Sequence, residues 1–176
     1  MNSLILATMI ALPYTDVSDR YREPVHYMVE EGITKGVTPT KYGVQMNIKR
    51  GDAAVMLAKH LKLVHVRPLD INHTDVPRRQ RAEVNALWER NIINDTGLFR
   101  SDELATRDDI ALWVYNAYTY GLHGMGHREW ITNSGLMKGD ANRGMRWDEG
   151  VTRGEFAIIV KRAKDVLGEY KDMLTN

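Results

Sequence analysis

Three arginines stand at matching places in this sequence. Arg50 lies in Ile48-Lys49-Arg50-Gly51-Asp52, Arg107 in Ala105-Thr106-Arg107-Asp108-Asp109, and Arg153 in Val151-Thr152-Arg153-Gly154-Glu155. Thr152 with Glu155 reads as a capping box, in which a helix N–H donates to the hydroxyl and the acid reaches back to the cap. Thr106 with Asp109 is the same device with a shorter acid, whereas Lys49 leaves the first copy without a hydroxyl cap. Each arginine therefore falls in the first turn of a helix, where the helix dipole favours anions and a cation opposes it. A local rule broken three times asks for a compensating gain. Free backbone N–H groups beside a guanidinium fork would make a socket for a carboxylate or phosphate. The alternative is an ion pair between each arginine and an acidic residue of a neighbouring segment. Spacing alone leaves both readings open.

Other chemistry has less footing. His123 and His127 are spaced i, i+4, but no His-Glu-x-x-His pattern surrounds them, and Gly121, Gly124 and Gly126 disfavour a helix there. A loop with two solvated histidines is expected. Asp140 to Gly144 lacks the third oxygen ligand and the closing Glu of a calcium loop. There is no Gly-x-Ser-x-Gly elbow, no phosphate-binding Gly-x-x-x-x-Gly-Lys and no cysteine. Glu30-Glu31 and Asp108-Asp109 are adjacent on helical patterns, so their carboxylates point apart and make no acid/base couple. The chain reads as a binding module rather than an enzyme, with no metal and no cofactor. Arg78-Arg79 with Arg81 reads as a solvated helix start. Trp88, Trp113, Trp130 and Trp147 are expected mostly in packing, and Trp147, just ahead of Arg153, is also a candidate ligand contact.

The elements that position the arginines repeat. Gly32-Ile33-Thr34-Lys35-Gly36, Asn91-Ile92-Ile93-Asn94-Asp95 and Gly135-Leu136-Met137-Lys138-Gly139 each follow a short helical pattern and precede an aromatic: Tyr42, Phe99 and Trp147. After each arginine runs an amphipathic stripe: Ala54, Leu57, Ala58, Leu61; then Ile110, Trp113, Val114, Ala117; then Phe156, Ile159, Val160, Ala163, Leu167. No sustained period-2 alternation suggests strands. The expectation is an all-α fold in which three helix–loop–helix repeats pack about a pseudo-threefold centre, because no pair buries its apolar face alone. The repeats are expected at about 13–66, 72–120 and 121–170 of a single 1–176 domain, with 1–12 an apolar N-terminal extension.

Composition narrows the partners. The 176 residues carry 24 Lys plus Arg against 23 Asp plus Glu, a net charge of +1, which argues against a dedicated nucleic-acid binder. At 43% apolar and 27% charged the chain is a folding one rather than a disordered one. No run approaches the ~20 apolar residues of a membrane helix. Met1 to Leu12 is apolar but lacks a basic start, the first Lys or Arg being Arg20, so it does not read as a signal peptide.

In order and kind these features resemble the S-layer homology (SLH) domain. The first copy carries Tyr14-Thr15-Asp16-Val17, the helix around Val25 to Val29, the turn Gly32 to Gly36, Tyr42-Gly43 and Ile48-Lys49-Arg50. The second keeps Thr74-Asp75-Val76 with His73 in the aromatic place, then Ile92, Phe99 and Thr106-Arg107. The third keeps Gly135 to Gly139, Trp147 and Val151-Thr152-Arg153, but has Thr119 where the opening Asp would be. The resemblance implies an all-helical triplet shaped as a three-pronged spindle. It would bind an anionic secondary cell wall polysaccharide of Gram-positive bacteria, in many cases through a pyruvylated sugar. It implies Arg50, Arg107 and Arg153 as ligand contacts, helped by Asp16, Asp75, Gly36 and Gly139. Asp95 departs from the pattern with an extra carboxylate, which would repel an acidic sugar.

The function expected is therefore non-covalent anchoring or targeting of a protein, such as an S-layer protein or a lysin, to the bacterial cell wall. A lysin's wall-targeting half would suit the N-terminus. The chain is expected to be a monomer with no nucleic-acid or membrane partner. The alternative is a helical scaffold for protein–protein assembly in which the arginines only bridge repeats.

Overall fold

The computed structural model describes residues 12–64, 74–95, 97–120 and 124–168. Six α-helices occur among them: α1 (Asp19–Glu30), α2 (Arg50–His60), α3 (Arg81–Glu89), α4 (Arg107–Thr119), α5 (His127–Asn133) and α6 (Arg153–Leu167). A 3-10 turn, Arg78–Gln80, leads into α3. No strand forms among the described residues, in line with the missing period-2 pattern; pairing is confined to isolated bridges. Most of the N-terminal apolar run, His73 and His123 lie outside the described residues.

The stripes following the arginines explain the packing. Ala54, Leu57, Ala58, Leu61, Ile110, Trp113, Val114, Ala117, Phe156, Ile159, Val160 and Ala163 are all buried, each at 3% exposure or less. One main core gathers these with Met28, Leu87 and Phe99. A smaller cluster of Tyr21, Val25, Tyr42, Val44 and Ile158 sits between α1 and α6. Full burial of one such aliphatic side chain contributes about 1.5–3 kcal/mol. Helices pair across copies: α2 packs on α3, α4 on α5, and α6 returns to pack on α1. The chain thus closes on itself.

The residues ahead of α2, α4 and α6 meet at one point. Ile48 N–H donates to the Val151 carbonyl, Val151 N–H to that of Ala105, and Ala105 N–H to that of Ile48, each at 2.9 Å. These three residues precede the three arginines by two positions, so the ring sets every arginine in the same relation to its neighbours. Farther along the helices, buried His60 joins Tyr27 Oη (3.0 Å from Nδ1) to Tyr118 Oη (2.9 Å from Nε2). Burial, aided by Lys164 and Lys62, pushes its imidazole down to about 4, so the fold holds it neutral.

Candidate functional site

The first-turn N–H groups expected to be free at the helix starts are occupied. Arg50 and Gly51 donate to the carbonyls of Glu103 and Ser101 at 2.9 and 3.0 Å. Arg107 and Asp108 donate to those of Glu149 and Trp147 at 2.9 and 3.0 Å, and Arg153 and Gly154 to those of Met46 and Val44 at 2.8 and 3.0 Å. The next N–H donates to the cap hydroxyl, Asp109 to Thr106 Oγ1 (3.1 Å) and Glu155 to Thr152 Oγ1 (3.2 Å), and both capping boxes close as expected. Lys49 gives α2 no side-chain cap. The chain of a neighbouring copy has taken the donors, so the socket reduces to the guanidinium groups and their surroundings.

Each guanidinium reaches into the turn of the next copy around the ring. Nε donates to Phe99 O from Arg50 (3.0 Å), to Met145 O from Arg107 (2.6 Å) and to Tyr42 O from Arg153 (3.1 Å). Each acceptor lies eight residues before the next arginine. Met145, not Trp147, therefore occupies the place of Tyr42 and Phe99. Trp147 corresponds instead to Val44 and Ser101, lending its carbonyl to a helix start while Arg128 stacks on its ring at 5.3 Å. The sequence expectation for Trp147 was out of register by two residues.

The outer nitrogens separate the three. Arg153 donates from Nη2 to both Lys35 O (3.0 Å) and Thr34 Oγ1 (3.3 Å), and no carboxylate lies at ion-pair distance among the described residues. Arg107 donates to Lys138 O (2.8 Å), with Glu155 looser at 3.6 Å. Arg50 is held by both oxygens of Asp95 (3.0 and 3.1 Å) and, closely, by Asp109. Its guanidinium also lies over Phe99 and Trp113 at 5.0 and 5.1 Å. For Arg50 the ion-pair reading is thus the observed one.

Two cavities open beside the other arginines. The Arg153 cavity, about 310 Å³, is lined by Thr34, Lys35, Gly36, Asp52 and Lys59. The Arg107 cavity, about 270 Å³, is lined by Arg20, Lys138, Gly139, Arg146, Glu155 and Arg162. Gly36 and Gly139 let the turns close tightly. A Cβ on Gly36 would stand 2.3 Å from the Tyr14 ring, and one on Gly139 2.8 Å from the Gly144 backbone. Asp95 takes the corresponding position in the second copy.

Asp16 and Asp75, expected to help the ligand contact, brace the backbone of two loops. Asp16 accepts from the N–H groups of Tyr42 (2.9 Å), Gly43 (2.7 Å) and Val44 (3.2 Å). Asp75 accepts from Phe99 (2.9 Å), Arg100 (2.5 Å) and Ser101 (3.2 Å). Burial pushes each carboxyl up, but these N–H groups together hold it below its ordinary value. The carboxylates fix the loops whose carbonyls receive the arginines. In the third copy Thr119 donates through Oγ1 to Tyr115 O at 2.7 Å.

His127 differs from the solvated loop residue expected. It opens α5 and bonds Asp108 at 2.8 Å, beside Arg128 at 2.7 Å. Among the described residues, no group of three or more His, Asp and Glu gathers as a metal site would require, and no helix is long and apolar enough to cross a membrane.

Residues 13–54 match the family model of the S-layer homology domain. The matched stretch runs from the opening loop through α1 and the first turn into α2, and so includes Asp16, Gly36 and Arg50. No curated protein matches the chain. Domains of this family are binding modules of cell-surface proteins and engage secondary polymers of the cell wall.

Proposed function

We propose that this chain is a triplet of SLH-like repeats, about 13–66, 72–120 and 121–170, arranged with pseudo-threefold symmetry, that binds an anionic secondary polysaccharide of the Gram-positive wall. The observation that carries this reading is the charge state of three sister arginines. Two of them, Arg153 and Arg107, sit in cavities rich in further cations and satisfy their guanidinium groups mainly on neutral carbonyls. A guanidinium fork in such a setting recognises a carboxylate such as that of a pyruvylated sugar. Gly36 and Gly139 keep the turn backbone close to that acid. Arg50 has its acids already, in Asp95 and Asp109.

Two grooves on one polymer raise the effective concentration for the second contact, so modest single-site affinity becomes firm attachment. The chain then holds or delivers a protein at the bacterial surface, as an S-layer anchor or a lysin's targeting half would.

Co-sedimentation with purified Gram-positive walls tests this. Wild type is expected to pellet with native walls and to stay in solution once the polysaccharide has been stripped by acid. R107A/R153A, verified as folded by its circular dichroism, is expected to stay in solution in both cases. Equal pelleting of the folded variant would overturn the reading and favour a protein-assembly scaffold.

A further inference from the structure

The two open grooves share more than their arginines. Nine residues after each arginine, one helical face onward, stand Lys59, Asn116 and Arg162. In the turns stand Lys35, Asn94 and Lys138. Lys35 and Lys59 line the Arg153 cavity, and Lys138 and Arg162 line the Arg107 cavity. The self-neutralised Arg50 groove has asparagine at both places. Asn116 even makes the same backbone contact as Arg162: it donates to Ile92 O at 3.1 Å, Arg162 to Leu136 O at 3.3 Å. Cation and amide fill one structural position, so the contact itself does not require charge.

The charge in the open grooves is net positive, with three cations against Asp52 in the Arg153 cavity and five against Asp140 and Glu155 in the Arg107 cavity. Lys35, Lys59 and Lys138 make no ion pair among the described residues. Asp52 is engaged by Gln80 Nε2 at 2.9 Å, Glu155 Oε2 by the Thr152 N–H at 3.0 Å, and Asp140 by the N–H groups of Asn142 and Arg143. Arg20 and Arg146 add two more cations to the Arg107 cavity; Arg146 pairs with Glu149 at 2.8 Å through Nη1 and keeps its Nε buried without a hydrogen-bond partner. Burial, and then Arg20, push the Arg162 guanidinium below its ordinary value. Like charges gathered along one open groove raise the free energy of the empty site, damped by solvent and salt, and favour an anion that relieves them.

We infer that each open groove holds two acid groups of its ligand, one at Arg153 or Arg107 and a second at Lys59 or Arg162. This rests on the wall-polymer reading above and narrows it: the ligand carries paired negative charges, as a sugar acid beside a phosphate or beside a second carboxylate would. A polymer with one isolated acid per binding unit leaves the second cation unused.

The test compares wild type, K59Q/R162Q and R107A/R153A by titration calorimetry. The probes are soluble wall polysaccharide and the methyl glycoside of pyruvylated N-acetylmannosamine, which has a single carboxylate. K59Q/R162Q is expected to lose at least tenfold in affinity for the polymer, and the loss is expected to be at least five times larger than its loss for the glycoside. K59R/R162K, which keeps both charges, is expected to recover most of the polymer affinity. Removing phosphate from the polymer identifies the second acid: the gap between wild type and K59Q/R162Q closes if it is a phosphate and persists if it is a carboxylate. Equal losses for both probes, or polymer binding by K59Q/R162Q at wild-type strength while R107A/R153A fails, would overturn the inference and leave the wall reading standing. Wild-type binding by R107A/R153A, or no binding by wild type, would overturn both.

Discussion

The grooves of Arg50 and Arg153 are made of the same parts and end in opposite electrostatic states. In each, an arginine from a helix start crosses to the next copy and donates through Nε to the carbonyl of a buried aromatic, Phe99 or Tyr42. Beyond that point the sequences part. Where the Arg153 groove has Gly36, the Arg50 groove has Asp95, whose carboxylate lies on the guanidinium. The acid two residues into the facing helix follows suit: Asp109 pairs with Arg50, while Asp52 is drawn off by Gln80. Two grooves of like parts thus hold a structural ion-pair site and an open cationic cavity, and the difference lies in a few side chains. Under the proposed function, a motif arginine contacts the ligand only where its own chain leaves it without a close carboxylate.

Removing each arginine tests that contrast, and the largest effect is expected at the closed groove. Arg50→Met leaves Asp95 and Asp109 facing each other with no cation between them, at a cost of roughly 3 kcal/mol in stability, read from the urea midpoint. Wall binding of the folded variant is expected to survive. Arg153→Met loses hydrogen bonds to neutral acceptors and is expected to cost about 1 kcal/mol, while wall binding falls at least tenfold. Were Arg153→Met the more destabilising of the two, the contrast would fail.

Acidification separates groove from scaffold. His60 has a folded value of about 4 against 6.5 as a free residue, so the unfolded chain takes up the proton first. The stability linked to it is fully present above about pH 6.5, declines as pH falls towards 4 and levels off below. A total of about 3 kcal/mol is expected over that range. His60→Gln should flatten the profile measured by urea denaturation at stepped pH, without touching either groove.

The loop braces give a smaller effect. Asp16→Asn weakens three backbone hydrogen bonds behind Tyr42 and is expected to cost about 1.5 kcal/mol, with wall binding at the Arg153 groove falling a few-fold. Asp75→Asn is expected to cost a similar amount with no change in wall binding, because it supports the closed groove. Equal binding losses for the two would break the distinction between grooves.

Much of this was legible in the sequence. The apolar stripes specify the helix faces, both capping boxes close where Thr106 and Thr152 place them, and Asp95 stood out as a carboxylate in the wrong place for an acidic ligand. The rest depends on pairings that only the assembled fold shows. The helix-start N–H groups are filled by carbonyls far along the chain, such as Met46 for Arg153, and no local pattern encodes that pairing. Asp16 and Asp75 pair with loops some two dozen residues on, so their bracing role shows only when the copies are assembled. His127 sits among glycines in the sequence, yet Asp108 receives it across the α4–α5 contact. Trp147 matches Tyr42 and Phe99 in side-chain type, whereas the eight-residue spacing back from each arginine leads to Met145.

Counting binding sites tests the central claim most directly. Titration of wild type and Asp95→Gly with soluble wall oligosaccharide should give two sites per chain for wild type. The variant should gain a third, weaker one as Arg50 loses Asp95 and keeps only Asp109. Three sites in wild type, or no binding lost with Arg107 and Arg153, would contradict the division into open and self-occupied grooves.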